Sequence, residues 1–101
     1  MAAPTEMRPL GTLTVQQTGQ GHSLSKSYIT IGRVQSNDII LNDADVSRQH
    51  FSLTWDGQQY VVKDLGSTNG TFVNGLPVRE PTILTPGDDI YVGKITFRLV
   101  G

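Results

Sequence analysis

The sequence predicts an all-β fold, an antiparallel β-sandwich of about eleven short strands. Short stretches alternate apolar and polar residues, most clearly where Phe51, Leu53 and Trp55 share one face and Ser52 and Thr54 the other. Turn signals containing glycine, asparagine or proline separate these stretches. No segment shows the helical period of apolar residues, so two stacked sheets are favoured over a sheet covered by helices.

The first half of the chain combines alternating segments with polar loops. Leu13 and Val15 alternate with Thr12 and Thr14, and a turn over residues 17–22 follows. Further polar loops cover residues 34–38 and 42–48. The strands predicted in this half are Leu10–Val15, His22–Lys26, Tyr28–Ile31, Ile39–Leu41 and Phe51–Trp55.

Two dipeptides in the second half, Asp56-Gly57 and Asn74-Gly75, signal tight turns. These residue types accept positive φ angles at little cost. Further turns are expected at Pro86-Gly87-Asp88 and at Gly93-Lys94. The strands predicted here are Tyr60–Leu65, Thr71–Val73, Leu76–Val78, Ile83–Leu84, Ile90–Val92 and Ile95–Leu99.

Length and composition restrict the class of protein. The 101 residues fit one domain, expected over residues 10–101 after a flexible lead at residues 1–9. Cysteine is absent, which excludes disulfides and thiolate metal sites. The net charge of -1 predicts no binding to nucleic acid, and no apolar run approaches the roughly 20 residues of a membrane span. We expect a cytoplasmic protein that is monomeric as an isolated domain and has no cofactor and no metal.

Three polar pieces lie where predicted strands end or begin: Gly32-Arg33, Asp45–His50 and Gly66–Thr71. If the strands stack into one sandwich, these pieces can converge as loops at one end. They would bring together two guanidinium groups, several hydroxyls and exposed backbone N–H groups, which suit a tetrahedral dianion. His50 is expected to hydrogen-bond between loops rather than to act as a base or a metal ligand.

Together with their spacing, these pieces resemble the forkhead-associated (FHA) domain, a β-sandwich module that binds phosphothreonine in partner proteins. The similarity begins near Leu10 and covers nearly the whole remaining chain. The motifs that carry it are Ile31-Gly32-Arg33, Asn37-Asp38-Ile39, Val46-Ser47-Arg48-x-His50, Asp64–Thr71, Asn74-Gly75 and Gly87-Asp88.

The resemblance implies a role for each site residue. Arg33 and Ser47 would hold phosphate oxygens with Arg48 and Thr68, and Asn69 would bind the ligand main chain beside the phosphothreonine. Asp45 would contribute to selecting the residue three beyond the phosphothreonine, with a basic or polar preference. The residues that would shape the loops are Gly32, His50 and Gly70.

Other functions are open to consideration. An enzyme could combine Ser47 or Ser67 with His50 and an aspartate, but the chain has no Gly-x-Ser-x-Gly motif, so no enzymatic activity is expected. Asp43, Asp45 and Ser47 alternate like calcium ligands, yet the glycine and glutamate of an EF-hand are missing. Asn69-Gly70-Thr71 matches a glycosylation acceptor without a secretion signal.

The main alternative is an interaction module that is independent of phosphate. On the same scaffold, a partner would dock through a sheet face or a sheet edge. Binding of a threonine-phosphorylated peptide but not of its unphosphorylated twin distinguishes the two hypotheses.

Overall fold

The computed structural model describes residues 11–101, and the expected lead at residues 1–9, together with Leu10, lies outside the described residues. The described part of the chain forms eleven strands and no helix, as the sequence predicts. The strands are β1 (Thr12–Val15), β2 (Gly21–Ser23), β3 (Tyr28–Gly32), β4 (Ile39–Ile40), β5 (Phe51–Trp55), β6 (Tyr60–Asp64), β7 (Thr71–Val73), β8 (Leu76–Pro77), β9 (Thr82–Leu84), β10 (Asp89–Val92) and β11 (Ile95–Val100).

The strands form two sheets that stack as a sandwich. One sheet has the order β2-β1-β11-β10-β7-β8 and the other the order β4-β3-β5-β6-β9. All pairings are antiparallel except β3 with β4, which run parallel, with Ile31 opposite Ile39. The predicted antiparallel sandwich is therefore confirmed, with this one pair as its parallel exception. The β3–β4 loop brings the chain back to the level of Ile31 before β4 begins, so this two-residue strand runs along the edge in the same direction as β3.

The core between the sheets is built from the alternating apolar residues. Phe51 of one sheet and Phe97 of the other meet edge to face, with ring centroids 6.3 Å apart. Both rings are fully buried. Burial of apolar side chains such as these is the main interaction that holds the two sheets together. Ser52, which the alternation assigns to the outer face of β5, is also buried.

Strand boundaries differ from the prediction by a few residues. The second strand ends at Ser23 rather than continuing to Lys26, and Leu41 and Val78 lie just beyond β4 and β8. Leu24, Leu41 and Val78 are nevertheless buried. Their apolar side chains pack into the core from loop backbone, so hydrophobicity alone overstates the strand length.

The register of the two sheets gathers several chain ends at one end of the sandwich. In one sheet, Ile31 lies opposite Phe51, and Phe51 lies opposite Asp64. In the other sheet, Thr71 lies opposite Val92. The loops that follow β3, precede β5, join β6 to β7 and join β10 to β11 therefore emerge close together. In the part of the chain that the structure describes, no helix is suited in length and hydropathy to crossing a membrane.

Candidate functional site

Arg33 follows the last residue of β3 and is held by the β4–β5 loop. Its backbone N–H donates to the carbonyl oxygens of Ser47 and Arg48, at 3.0 and 3.1 Å. Its side-chain Nε donates to the carbonyl oxygen of Val46 at 3.0 Å. The residue is exposed, and its two Nη groups make no hydrogen bond with the described residues, so the Nε contact orients a guanidinium whose other donors are available. A guanidinium group whose Nε is already held in place can donate to an oxyanion through its Nη groups.

Gly32 lets the end of β3 approach the backbone of the β4–β5 loop. A Cβ atom at this position would lie 2.2 Å from the carbonyl oxygen of Arg48 and 2.9 Å from Nδ2 of Asn37. That carbonyl oxygen also accepts from Asn37 Nδ2 at 2.7 Å. Asn37 is buried and donates further to the carbonyl oxygen of Val34 at 2.8 Å. Gly32 and Asn37 thus join the β3–β4 and β4–β5 loops at one carbonyl group.

His50 connects two loops from a fully buried position. Its Nδ1 accepts from the backbone N–H of Ser47 at 3.0 Å, and its Nε2 lies 2.8 Å from the carbonyl oxygen of Gly70. These partners assign the proton to Nε2, because a backbone N–H only donates and a carbonyl only accepts. Both ring nitrogens are occupied by the backbone. The imidazole therefore acts as a structural bridge and has no nitrogen left for a general base or a metal ligand.

Ser47 and Thr68 are joined by a bond that fixes the direction of the serine hydroxyl. The backbone N–H of Thr68 donates to Oγ of Ser47 at 2.9 Å. Because Oγ is the acceptor in this bond, its own proton remains available to a second acceptor. Ser47 is half-buried and Thr68 is exposed, so this donor lies near the surface beside the Thr68 backbone.

Asp64, the last residue of β6, organises the loop that carries Thr68. Its Oδ2 accepts from the backbone N–H groups of Gly66 and Ser67, both at 3.0 Å. Its Oδ1 accepts from the hydroxyls of Ser67 at 2.5 Å and Thr71 at 2.6 Å. Burial works to raise the pKa of this carboxyl, but the four hydrogen bonds outweigh it and lower the pKa below its usual value. Asp64 therefore stays ionised and holds the loop in shape.

Gly70 and Asn69 complete this loop. Gly70 has a φ of 88°, which favours glycine, and its carbonyl oxygen receives the His50 bond. Asn69 is exposed, and its Nδ2 donates to the carbonyl oxygen of Asp45 at 2.8 Å. One N–H of the amide is thereby fixed. The second N–H and the Oδ1 atom make no hydrogen bond with the described residues, so this exposed amide can pair with the backbone of an extended peptide.

Asp45 is fixed at one side of the site. Its backbone N–H donates to Oδ1 of Asp43 at 2.8 Å, while its carbonyl oxygen accepts from Asn69. Its Cβ lies 3.2 Å from the position that a Cβ of Gly93 would occupy. Lys94 Nζ lies 4.0 Å from Asp45 Oδ2. The turn between β10 and β11 thus packs against the β4–β5 loop.

The structure brings Arg33, Ser47 and Thr68 into one connected hydrogen-bond network at one end of the sandwich. Arg48 lies in the same loop and its carbonyl oxygen is central to the network, but its exposed guanidinium makes no hydrogen bond or ion pair with the residues described. Two supporting residues, Asn37 and Asp64, belong to motifs that carry the family resemblance, but the sequence does not predict their anchoring roles.

The calcium hypothesis meets a physical obstacle. Asp43 uses a carboxylate oxygen to cap the backbone of Asp45, and the Asp45 carboxylate faces Lys94. No group of three or more His, Cys, Asp or Glu side chains arranged for a metal ion occurs within residues 11–101.

Comparisons with known proteins agree with the observed fold. A family model described as the FHA domain matches residues 29–93. The oxoglutarate dehydrogenase inhibitor of Corynebacterium jeikeium is 43% identical over 82 residues, covering 81% of this chain and 55% of that protein. The chain therefore spans about half the length of the curated relatives it matches.

Two solved structures have the same fold. Mycobacterium tuberculosis EmbR in complex with a low-affinity phosphopeptide has a TM-score of 0.89 and 31% identity, covering 98% of this chain and 26% of that one. A structure described as an analysis of phosphothreonine-dependent FHA domain interactions has a TM-score of 0.85 and 36% identity, covering 92% of this chain and 97% of that one.

Proposed function

This chain belongs to the FHA domain family, and we propose that it binds phosphothreonine-containing segments of partner proteins through the loops at one end of its sandwich. Arg33 and Ser47 hold the phosphate oxygens, and Arg48 and Thr68 add further donors. Asn69 pairs with the main chain of the ligand beside the phosphothreonine. The domain is a recognition module, as its relation to phosphopeptide-binding structures indicates.

One observation carries this assignment, namely the bond from the Thr68 N–H to Ser47 Oγ. It ties together two loops from different parts of the chain and leaves the serine proton as a donor next to Arg33. A phosphate near neutral pH carries almost two charges and has strong acceptor oxygens. Guanidinium and hydroxyl donors held in advance lose little entropy when they bind it.

The test compares a threonine-phosphorylated peptide with its unphosphorylated twin by isothermal titration calorimetry, using the tightest sequence from a phosphothreonine peptide library. We expect binding of the phosphorylated form alone. A charge-assisted hydrogen bond contributes about 1.5–3 kcal/mol. Arg33→Ala and Ser47→Ala should therefore each weaken binding by roughly tenfold to a hundredfold.

Arg98→Ala is the matched charge control. Arg98 is bound to Asp89 on the sheet, with Nε 2.8 Å from Oδ1, and lies outside the loop network. The Arg98→Ala substitution removes the same charge as Arg33→Ala but should leave the affinity for the phosphorylated peptide within about twofold of the native value. Equal affinity of the native chain for both peptides would instead support the phosphate-independent module.

We also propose that the chain has no enzymatic activity. Within residues 11–101, the histidine close to Ser47 is His50, and both of its ring nitrogens are engaged with backbone groups. Activated esters and phosphate monoesters should not be hydrolysed faster in the presence of the chain. A rate that disappears in Ser47→Ala would contradict this proposal. We further propose a cytoplasmic location, which cell fractionation can test.

A further inference from the structure

A groove lies at the end of the sandwich opposite to the phosphate-binding loops. β5 begins next to those loops at Phe51 and ends at Trp55, whose register partner is Tyr60 of β6. The groove opens beside this pair and has a volume of about 350 Å³. That volume is at the low end of the range of roughly 300–1,000 Å³ for ligand pockets. The lining includes Trp55, Tyr60, Leu84, Pro86, Leu99 and Gly101.

The lining of the groove is apolar and uncharged. Tyr60, Leu84 and Leu99 are buried, and Trp55 meets Tyr60 edge to face with ring centroids 5.0 Å apart. Burial raises the pKa of Tyr60 to about 12, so its phenol stays neutral at physiological pH. The other described side chains that line the groove are also uncharged. This surface suits apolar side chains, and proline in particular, because aromatic-lined grooves bind proline-containing segments.

The described chain begins at Gly11, which lies at the rim of this groove. A Cβ atom added to Gly11 would lie 3.2 Å from Cδ1 of Leu99 and 4.0 Å from Cα of Gly101. Both of these residues line the groove. The carbonyl oxygen of Gly11 accepts from the backbone N–H of Leu24 at 2.9 Å, which fixes the backbone at this point. The residues that precede Gly11 therefore join the sandwich beside the groove.

The four residues directly before Gly11 have the composition that this groove requires. They are Met7-Arg8-Pro9-Leu10, and three of the four are apolar. An extended chain spans at most about 3.3–3.6 Å per residue, so none of the four can lie farther than about 14 Å from Gly11. A short tether gives an effective concentration in the mM range. An intrinsic Kd of about 0.1 mM would then keep the segment docked most of the time.

We propose that Met7, Pro9 and Leu10 dock in this groove of their own chain. The segment covers the apolar lining at the end of the sandwich opposite to the phosphate-binding loops. The contact does not depend on phosphorylation, because the side chains of the groove provide no cation for a phosphate. A lead that the sequence predicts to be flexible is thereby held in cis, which stabilises the fold and keeps the groove from binding other apolar segments.

The absence of cysteine from the sequence allows a label to be placed at one chosen position. A nitroxide attached to Thr5→Cys in the full chain broadens the NMR signals of backbone amides that lie near it. We expect broadening at Gln59 and Thr85, which line the groove, and none at Ser47 and Thr68 of the phosphate-binding loops. Broadening at Ser47 and Thr68 instead, or at none of the four amides, would overturn the proposal.

A mixed sample distinguishes docking in cis from docking onto a second copy of the chain. It combines nitroxide-labelled chain that lacks ¹⁵N with unlabelled chain that carries ¹⁵N, so only contacts between chains can broaden the observed signals. The amides of Gln59 and Thr85 should keep their native line widths in this mixture. Broadening there would show that the segment docks onto a neighbouring molecule, and the proposal of a contact in cis would be wrong.

Met7→Asp tests the apolar contact itself. It removes an apolar side chain and places a charge against an uncharged lining, so the ratio of docked to undocked chain should fall by roughly tenfold to a hundredfold. The broadening at Gln59 and Thr85 should fall with it. The sequence has one tryptophan, Trp55, so quenching of its fluorescence by acrylamide is a second measurement in the chain without a label. Quenching should be more efficient in Met7→Asp than in the native chain.

Ala3→Asp is the matched control. It adds the same charge to the same segment, but outside the proposed contact. Both the broadening at the groove and the quenching of Trp55 should therefore remain as they are in the native chain. An equal effect of Ala3→Asp and Met7→Asp, or no effect of Met7→Asp on either measurement, would overturn the proposal.

Discussion

At Gly32, an added methyl group would lie 2.2 Å from the carbonyl oxygen of Arg48. That oxygen is backbone and accepts from Arg33 and Asn37, so it cannot move without breaking the contact between two loops. Gly32→Ala should therefore destabilise the fold by about 1–3 kcal/mol, as overpacking does. It should also weaken phosphopeptide binding, because Arg33 follows directly in the chain. Urea denaturation and calorimetric titration below the unfolding transition measure the two effects.

Gly19→Ala is the control for this substitution. Gly19 has a φ of 80°, and an added Cβ would meet nothing within 4 Å. The substitution strains the backbone by roughly 1–2 kcal/mol without disturbing a neighbour. It should lower stability and leave phosphopeptide affinity unchanged. If Gly32→Ala retained native affinity, the close approach at Gly32 would not be needed to form the site.

Individual site residues could be predicted to different extents from the sequence. Arg33, Ser47 and Thr68 stand in short motifs at predicted strand ends, so their convergence follows once a sandwich is assumed. The roles of Asp64 and Asn37 depend on bonds to loop backbone, which no residue pattern specifies alone. A carboxylate followed by Gly66 and Ser67 is the signal that could have indicated the anchoring role of Asp64. Lys94 lies near Asp45 because the turn between β10 and β11 packs against the β4–β5 loop, and a single sequence does not give that tertiary contact.

At the level of elements, alternation and turn residues predict most strands because each strand has one face toward the core. The pattern fails where a residue is buried without the strand position that its polarity predicts. Leu41 is buried but follows β4, and Ser52 is buried on the face assigned to solvent. The sequence also does not predict that β4 pairs with β3 in parallel, because a strand of only Ile39 and Ile40 has no pattern that indicates its direction.

The β6–β7 loop depends on one ionised carboxylate, that of Asp64. Its pKa is lowered in the folded chain, so its stabilising contribution is complete above the unfolded value of about 3.9 and is lost as the pH falls through the lower folded value. Asp64→Asn should be less stable than the native chain by about 1–3 kcal/mol at pH 7. The difference should shrink as the pH falls below about 4. Urea denaturation at pH 7 and at acidic pH tests both statements.

Glu80→Gln controls for the loss of a carboxylate outside this loop. Glu80 is exposed between β8 and β9, so its substitution should change stability by no more than about 0.5 kcal/mol at either pH. A deficit of Asp64→Asn that stayed constant with pH would mean that the shape of the side chain, rather than its charge, holds the loop.

At the scale of the whole molecule, the site is a product of tertiary structure. Its donors come from the β3–β4, β4–β5 and β6–β7 loops, and the registers of both sheets bring them to one end. In the unfolded chain, Arg33 and Thr68 are separated by many flexible residues, and no phosphate site exists. A ligand that uses all three loops therefore binds the folded state alone and must stabilise it.

This coupling predicts a thermal shift whose size follows from mass action. A ligand at one hundred times its Kd adds about 2.7 kcal/mol to the free energy of unfolding. For a domain of this size, each kcal/mol raises Tm by roughly 4–8 °C, so a saturating phosphothreonine peptide should raise Tm by roughly 10–20 °C. Differential scanning calorimetry should show no shift with the unphosphorylated twin. With Arg33→Ala at the same peptide concentration the shift should fall to roughly 2–11 °C, because binding that is tenfold to a hundredfold weaker leaves the peptide at about one to ten times its Kd. An equal shift with both peptides would mean that the ligand stabilises the sandwich through a surface other than these loops, since phosphate is then irrelevant to the binding energy.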